Sequence, residues 1–161
     1  MKDDEQQKVA AEYFEQAYER QREGELDQAV ELYQKSIQAY PTAEAYTFLG
    51  WTYSFMGRYD DAIAECRRAI EVDPDFGNPY NDIGSYLIEL GSLDEAIPWL
   101  EKATRASRYQ SYCFPHYNLG RVYERKHDWE KAKKCYQASL DHNPQYVLAR
   151  TSLTRLQAMK N

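Results

Sequence analysis

The chain repeats one pattern of small residues about every 34 positions. Four times, a small residue is followed by an alanine twelve positions later: Ala17 and Ala29, Gly50 and Ala62, Gly84 and Ala96, and Gly120 and Ala132. Successive copies are offset by 33, 34 and 36 residues. A fixed period of this length indicates a repeat architecture, in which each unit buries its apolar face only against its neighbours. The 161 residues are therefore predicted to form one short array of repeats rather than separate globular domains.

The apolar positions inside each copy have the spacing of helices. In the second copy, Tyr46, Leu49 and Tyr53 lie three or four positions apart, and no alternation of apolar and polar residues competes with this spacing. Prolines follow the second apolar stretch in three of the four copies, at Pro41, Pro74 and Pro144. We predict two helices in each copy, with the small residue of the first helix admitting the alanine of the second.

The second copy resembles the tetratricopeptide repeat (TPR) family, whose signature it follows at Tyr46, Leu49, Gly50, Tyr53, Ala62, Cys66, Ala69 and Pro74. The resemblance implies an all-α, right-handed superhelical solenoid of four antiparallel helix pairs. Its repeats are expected over about 10–42, 43–76, 77–112 and 113–146, within one domain that spans residues 1–161. A capping helix is expected over about 147–159, where Ala149, Leu153 and Leu156 form one apolar stripe. The two extra residues of the third copy predict a longer loop within 105–115.

Composition and charge exclude several classes of protein. The net charge of −6 has the wrong sign for binding phosphate backbones, so we expect no nucleic-acid partner. No run of eighteen apolar residues occurs, so we expect no membrane insertion. Three cysteines do not make a disulfide framework, which favours a reducing, cytoplasmic location. Charge is also uneven along the chain, with −9 over residues 1–80 and +3 over residues 81–161.

Motifs that would indicate catalysis are missing from the sequence. No phosphate-binding glycine loop, nucleophile elbow or zinc-protease pattern occurs. Cys113 and His116 have the spacing of two metal ligands, but no second pair accompanies them, and His116 occupies an aromatic packing position. We therefore expect no enzyme activity, no cofactor and no metal ion. Among the cysteines, Cys113 is the one to test for reactivity, because it lies in the irregular segment.

The resemblance also implies where a partner would bind. In the TPR family, the first helices of successive repeats line a concave groove that holds peptides or helices. Mapped onto this chain, the groove residues are Phe14, Tyr18, Phe48, Trp51, Phe55, Asn78, Asn81, Asp82, Ser85, Tyr117, Asn118 and Arg121. The aromatic residues would anchor an apolar side chain, with Trp51 the most exposed, and the asparagines would contact a peptide backbone. Packing between repeats is the alternative interpretation for Phe14 and Phe48.

These residues limit the choice of partner. Chaperone-binding members of the family hold a C-terminal carboxylate with lysine, arginine and asparagine, whereas the matching positions here include Phe14, Tyr18, Phe48, Asn78 and Asp82. The C-terminal carboxylate clamp is therefore expected to be absent. The sequence predicts a noncatalytic adaptor or scaffold for a protein or peptide partner. The alternative is a structural protein that forms weak homo-oligomers through its ends or its groove, which the uneven charge would favour.

Overall fold

The computed structural model describes residues 1–159, and these residues form nine α-helices. The helices are α1 (Lys2–Arg22), α2 (Leu26–Ala39), α3 (Ala43–Phe55), α4 (Tyr59–Val72), α5 (Asn78–Glu89), α6 (Leu93–Arg105), α7 (Cys113–Arg125), α8 (Trp129–His142) and α9 (Val147–Ala158). Within residues 1–159, none of these helices has the length and apolar character that crossing a membrane requires.

Each odd-numbered helix from α1 to α7 packs against the even-numbered helix that follows it, and each pair packs against the next. The first helices of successive pairs also contact one another directly, α1 with α3, α3 with α5 and α5 with α7. Because the first helices lie close together, the surface that they share is the concave side of the array. The predicted all-α repeat solenoid is confirmed.

The small residue of each first helix lies where the second helix comes closest. A β-carbon on Gly50 would lie 2.8 Å from the carbonyl oxygen of Ala62. A β-carbon on Gly84 would overlap the side chain of Leu100, and one on Gly120 would overlap the ring of Tyr136. Among the three glycines, the group that a β-carbon would meet first belongs to the alanine twelve positions later only at Gly50. In the third and fourth pairs the nearest group is the side chain sixteen positions later, because leucine and tyrosine extend further than cysteine.

Two tyrosines connect the helices of the first and last pairs by the same hydrogen bond. The hydroxyl of Tyr33 donates to Gln21 Oε1 at 2.7 Å, and the hydroxyl of Tyr136 donates to Glu124 Oε2 at 2.6 Å. Both rings are fully buried, so the hydroxyls need these partners. The two tyrosine side chains therefore fill the core with their rings and fix the register of α1 on α2 and of α7 on α8 with their hydroxyls.

The turns inside the helix pairs use a left-handed residue. Gly91 has φ +80°, a conformation that glycine adopts without strain, and Gly24 and Gly57 are similar. The corresponding residue of the fourth pair is His127, with φ 62°. A β-carbon in this region costs about 1 kcal/mol or more, so the fourth turn is strained where the other three are not.

The long connection from α6 to α7 is held firmly by Arg108. Its backbone N–H donates to the carbonyl of Asp75 and its carbonyl accepts from Gly77, which pairs this connection with the one between α4 and α5. Its guanidinium pairs with Asp73 at 2.7 Å and with Glu44 at 2.9 Å. The expected longer loop is present over residues 106–112, and it is held against the preceding repeat.

Helix α9 covers the open end of the fourth pair. Ala149, Leu153 and Leu156 are buried as one stripe, as predicted from their spacing. Arg155 pairs with Glu124, the residue that also accepts the hydrogen bond from Tyr136. The last helix is therefore attached by both an apolar stripe and an ion pair.

Substituting Gly120 by alanine tests the close approach of α7 and α8. Alanine favours a helix over glycine by about 1 kcal/mol, but the new β-carbon would overlap the rigid ring of Tyr136. We expect Gly120→Ala to lower the free energy of unfolding by about 1–3 kcal/mol in urea denaturation. Gln16→Ala, at an exposed position of α1, is the control that should change it by a few tenths at most. A Gly120→Ala protein as stable as the wild type would contradict this account of the helix contact.

Substituting His127 tests the strained turn. His127→Gly should raise the free energy of unfolding by about 0.5–1 kcal/mol, because glycine adopts φ 62° without the clash of a β-carbon. His127→Ala is the matched control, since it also removes the ring contact with Trp129 but keeps the β-carbon. If both variants change the stability equally, strain at this residue is not the cause.

Candidate functional site

Five aromatic side chains of α1 and α3 form a continuous row on the concave side. We call Phe14, Tyr18, Phe48, Trp51 and Phe55 the aromatic row. The ring of Phe48 lies at its centre, 5.1 Å from Phe14, 5.8 Å from Tyr18 and 5.7 Å from Trp51, each in edge-to-face geometry. Trp51 continues the row to Phe55 at 5.0 Å. Contacts of this kind favour fixed ring positions, so the row presents a preformed surface.

The members of the aromatic row differ in burial. Phe14 and Phe48 are half-buried and pack against the core, with the ring of Phe14 also 5.5 Å from the ring of Tyr33. Tyr18 is 41% exposed, Trp51 39% and Phe55 57%. The packing interpretation therefore describes Phe14 and Phe48 best, and Phe55 rather than Trp51 is the most exposed member.

Polar side chains of α5 and α7 form a second group beside the aromatic row. The amide of Asn118 donates to Asn81 Oδ1 at 3.0 Å, and Arg121 donates to Asn118 Oδ1 at 3.1 Å. Arg121 also pairs with Glu89 at 2.9 Å. Asn81, Asn118, Arg121 and Glu89 thus form a polar ladder that joins the third pair to the fourth.

The polar ladder bears on the expected role of the asparagines. Asn81 and Asn118 are 8% and 7% exposed, and each is hydrogen-bonded to the other. Asn78 is exposed at the start of α5. Contact between a peptide backbone and these three asparagines stays a prediction, with Asn78 the member that a peptide can reach without displacing an existing hydrogen bond.

A pocket of about 270 Å³ lies where the aromatic row meets the polar ladder. This central pocket is lined by Thr47, Phe48, Trp51, Asn78, Asn81, Asp82, Tyr109 and Phe114. A second pocket of about 310 Å³, the side pocket, adjoins it and is lined by Trp51, Ser54, Phe55, Tyr59, Asn81, Asp82, Ser85, Tyr86 and Glu89. Trp51, Asn81 and Asp82 border both pockets, so the structure brings most of the predicted groove residues together here.

Tyr109 is a wall of the central pocket that the groove prediction did not include. It belongs to the long connection after α6, and its ring packs where a β-carbon on Gly77 would stand. Two signals in the sequence mark this region as a departure from the repeat without identifying Tyr109, namely the two extra residues of the third copy and the position of Gly77 outside the glycine positions of the repeat. A glycine at such a place often permits close approach of another group.

Tyr117 lies apart from the two pockets. Its ring contacts Tyr136 at 5.7 Å and Tyr146 at 5.3 Å, next to the start of α9. It therefore belongs to the C-terminal end of the concave side, and its packing there is with the repeat itself.

Asp82 lies between the two pockets, and its surroundings alter its acidity. Burial raises its pKa to about 7, although a hydrogen bond from Asn81 lowers it in part. Within residues 1–159, no lysine, arginine or histidine forms an ion pair with Asp82. The carboxylate form of Asp82 therefore loses hydration on folding and gains no opposite charge in return.

Cys113 belongs to a helix and not to the irregular segment in which the sequence pattern placed it. Cys113 is the first residue of α7 and is buried, and burial raises the pKa of its thiol. Its carbonyl accepts a hydrogen bond from Ser139, which fixes it against α8. The ring of His116 stacks on His142 at 5.0 Å, and within residues 1–159 no group of three or more metal-ligating side chains occurs. This corner of the fold is a packing contact.

A helical-pair solenoid with an open concave side defines a class of protein-interaction modules. Tetratricopeptide repeat models match this chain over residues 13–43, 43–76, 78–110 and 113–146. The chain belongs to the TPR family, as its sequence pattern predicts. Members of this family are typically non-catalytic adaptors, and membership in it supports a protein-interaction module.

Relatives and solved structures agree with this assignment. Tetratricopeptide repeat protein 21B of Mus musculus is 27% identical over 112 residues, which is 70% of this chain and 8% of that protein. The structure of the MamA protein is 25% identical with a TM-score of 0.76, covering 94% of this chain and 82% of that one. Pseudomonas aeruginosa pilF has a TM-score of 0.89 at 21% identity, covering 96% of this chain and 70% of that one. The chain spans less than a quarter of the length of the curated relatives it matches.

The raised pKa of Asp82 predicts a dependence of stability on pH. In the unfolded chain the pKa of Asp82 is 3.8, so the folded state holds the proton more tightly. The free energy of unfolding therefore falls as the pH rises from about 4 to about 7. Asp82→Asn removes this effect. We expect the variant to exceed the wild type in free energy of unfolding by about 2–4 kcal/mol at pH 8, and by much less at pH 5.

Urea denaturation at pH 5 and pH 8 measures this difference. Asp60→Asn, which removes an exposed carboxylate of α4, is the control. Its free energy of unfolding should differ from that of the wild type by nearly the same amount at both pH values. A difference between Asp82→Asn and the wild type that is equal at both pH values would show that Asp82 stays ionised in the folded protein.

Proposed function

We propose that this protein is a noncatalytic adaptor that binds an extended or helical peptide segment of a partner protein on its concave side. The observation that supports this most is the aromatic row, where Tyr18, Trp51 and Phe55 are preordered yet exposed. Aromatic side chains in a concave surface are typical anchors for a partner, because they bury a large area at little cost in conformational entropy.

Within this site, Trp51 is proposed as the main anchor because it borders both pockets. Tyr18 and Phe55 would extend the apolar contact along α1 and α3, over the rings of Phe14 and Phe48. On the other side, Asn78, Asn81 and Asn118 would contact the peptide backbone, and Ser85, Tyr117 and Arg121 would continue the path toward α7. Asp82 would face the peptide between these two groups.

Replacing Trp51 tests the anchor. We expect Trp51→Ala to weaken the binding of a groove peptide by about 2 kcal/mol, which is about 30-fold in Kd, with little change in stability. Trp129→Ala is the matched control, because Trp129 has nearly the same exposure, 38%, but lies at the start of α8 and lines neither pocket. Selection from a random peptide library, followed by fluorescence polarisation with the selected peptides, measures both variants.

The two variants distinguish the proposed site from other surfaces. Loss of binding with Trp51→Ala alone supports the proposed site. If both variants weaken binding equally, or if neither weakens it, the binding site lies on another surface. An acidic peptide that ends in a free carboxylate serves as a negative control, because the clamp residues are not at the matching positions; binding of this peptide at micromolar Kd would overturn the expectation that the clamp is absent.

Self-assembly is the second candidate function, and an observation at the C-terminal end favours it. Val147 and Leu148 are exposed on α9, and the charge of residues 81–161 is opposite to that of residues 1–80. Head-to-tail contacts between copies would cover these side chains and pair opposite charges. Light scattering at increasing concentration and salt separates the candidates. A monomer at all concentrations rejects self-assembly, whereas association that weakens with salt supports it.

We also propose a cytoplasmic location. The three cysteines are free, which agrees with a reducing compartment.

A further inference from the structure

The central pocket combines aromatic walls with a single charged group. Four of its lining side chains are aromatic, namely Phe48, Trp51, Tyr109 and Phe114, and among the described residues Asp82 supplies the only carboxyl group of the lining. The same part of the chain contributes no basic side chain to it. Aromatic rings attract cations through their quadrupole, and a carboxylate in a partly dehydrated site attracts them more strongly than in water. Both features of the lining therefore favour a positively charged occupant.

The nearby arginines do not neutralise Asp82. Arg121 pairs with Glu89 and donates to Asn118, and Arg125 donates to the carbonyl of Ile88 at 3.0 Å. The hydrogen bond from Asn81 supplies a neutral donor only. Asp82 therefore has no cationic partner within residues 1–159.

We propose that the central pocket recognises one basic side chain, lysine or arginine, of the bound peptide, with the Asp82 carboxylate as its ionic partner and Trp51 and Phe114 as its aromatic contacts. This inference rests on the proposed peptide-binding function and adds the chemistry of the peptide to it. A volume of about 270 Å³ suits one long side chain rather than a folded element. The excess negative charge of residues 1–80 would also attract a basic segment toward the side of the pocket that α3 forms.

The energetics of Asp82 fit a binding role better than a structural one. Burial disfavours its charged form, so the carboxylate lowers the stability of the free protein at neutral pH. Residues that reduce stability without a structural partner are typical of functional sites. A bound ammonium or guanidinium group would supply the missing opposite charge, and the penalty of burying Asp82 would then be offset in the complex.

A double-mutant cycle between protein and peptide tests the inference. Peptides are selected from a random library with the wild-type protein, and those whose binding requires Trp51 are kept. In each, the basic residue is replaced by norleucine, which keeps the aliphatic stem and removes the charge. Kd is measured for both peptides with wild type, Asp82→Asn and the control Asp60→Asn, after urea denaturation has shown that all three proteins are folded.

We expect norleucine to weaken binding to the wild type and to Asp60→Asn about tenfold, and to Asp82→Asn less than about twofold. An equal loss with all three proteins would overturn the role of Asp82. Trp51-dependent peptides without a preferred basic residue would overturn this inference and leave the proposed function standing. A library that yields no Trp51-dependent peptide would overturn the proposed function, and this inference with it.

Discussion

The close approach of the two helices within each pair is the constraint on which the rest of the fold depends. In the second, third and fourth pairs the helices come this close only because the residue at the contact is glycine, as where Tyr136 packs over Gly120. The short distance between helices leaves no space for a wider core, so the pairs must stack on one another to bury their remaining apolar surface. The concave side is the product of that stacking.

The sequence predicts the architecture well because the information is local and repeated. Gly50, Gly84 and Gly120 recur at nearly constant spacing, and each marks the place where the two helices of its own pair come closest. The apolar stripe of α9 could be located for the same reason. By contrast, the hydrogen bond between Asn81 and Asn118 joins neighbouring repeats, and the pattern of one repeat contains no information about how two such side chains meet.

In the candidate site, too, features that follow the repeat could be predicted and features outside it could not. The aromatic row occupies first-helix positions of the repeat, so the resemblance to the TPR family assigns Phe14, Phe48 and Trp51 to one surface from the sequence. Tyr109 could not, because its place against Gly77 depends on the path of a connection that departs from the repeat. Burial of Asp82 depends in turn on these surroundings. The residues of the site that occupy repeat positions are thus predictable, whereas those in or beside the connection between α6 and α7 are not.

The connection between α6 and α7 also affects the order in which parts of the array unfold. Arg108 joins the end of the third pair to Glu44 and Asp73 of the second, an attachment that the other pairs do not share in the described chain, because only the third connection has the added residues. In a linear array, cooperativity is the sum of the couplings between neighbours. The polar ladder likewise joins the third pair to the fourth, so the second, third and fourth pairs should open together, while α1 and α9 exchange their amide hydrogens earlier. The partner-binding surface would lie on the most persistent part of the molecule.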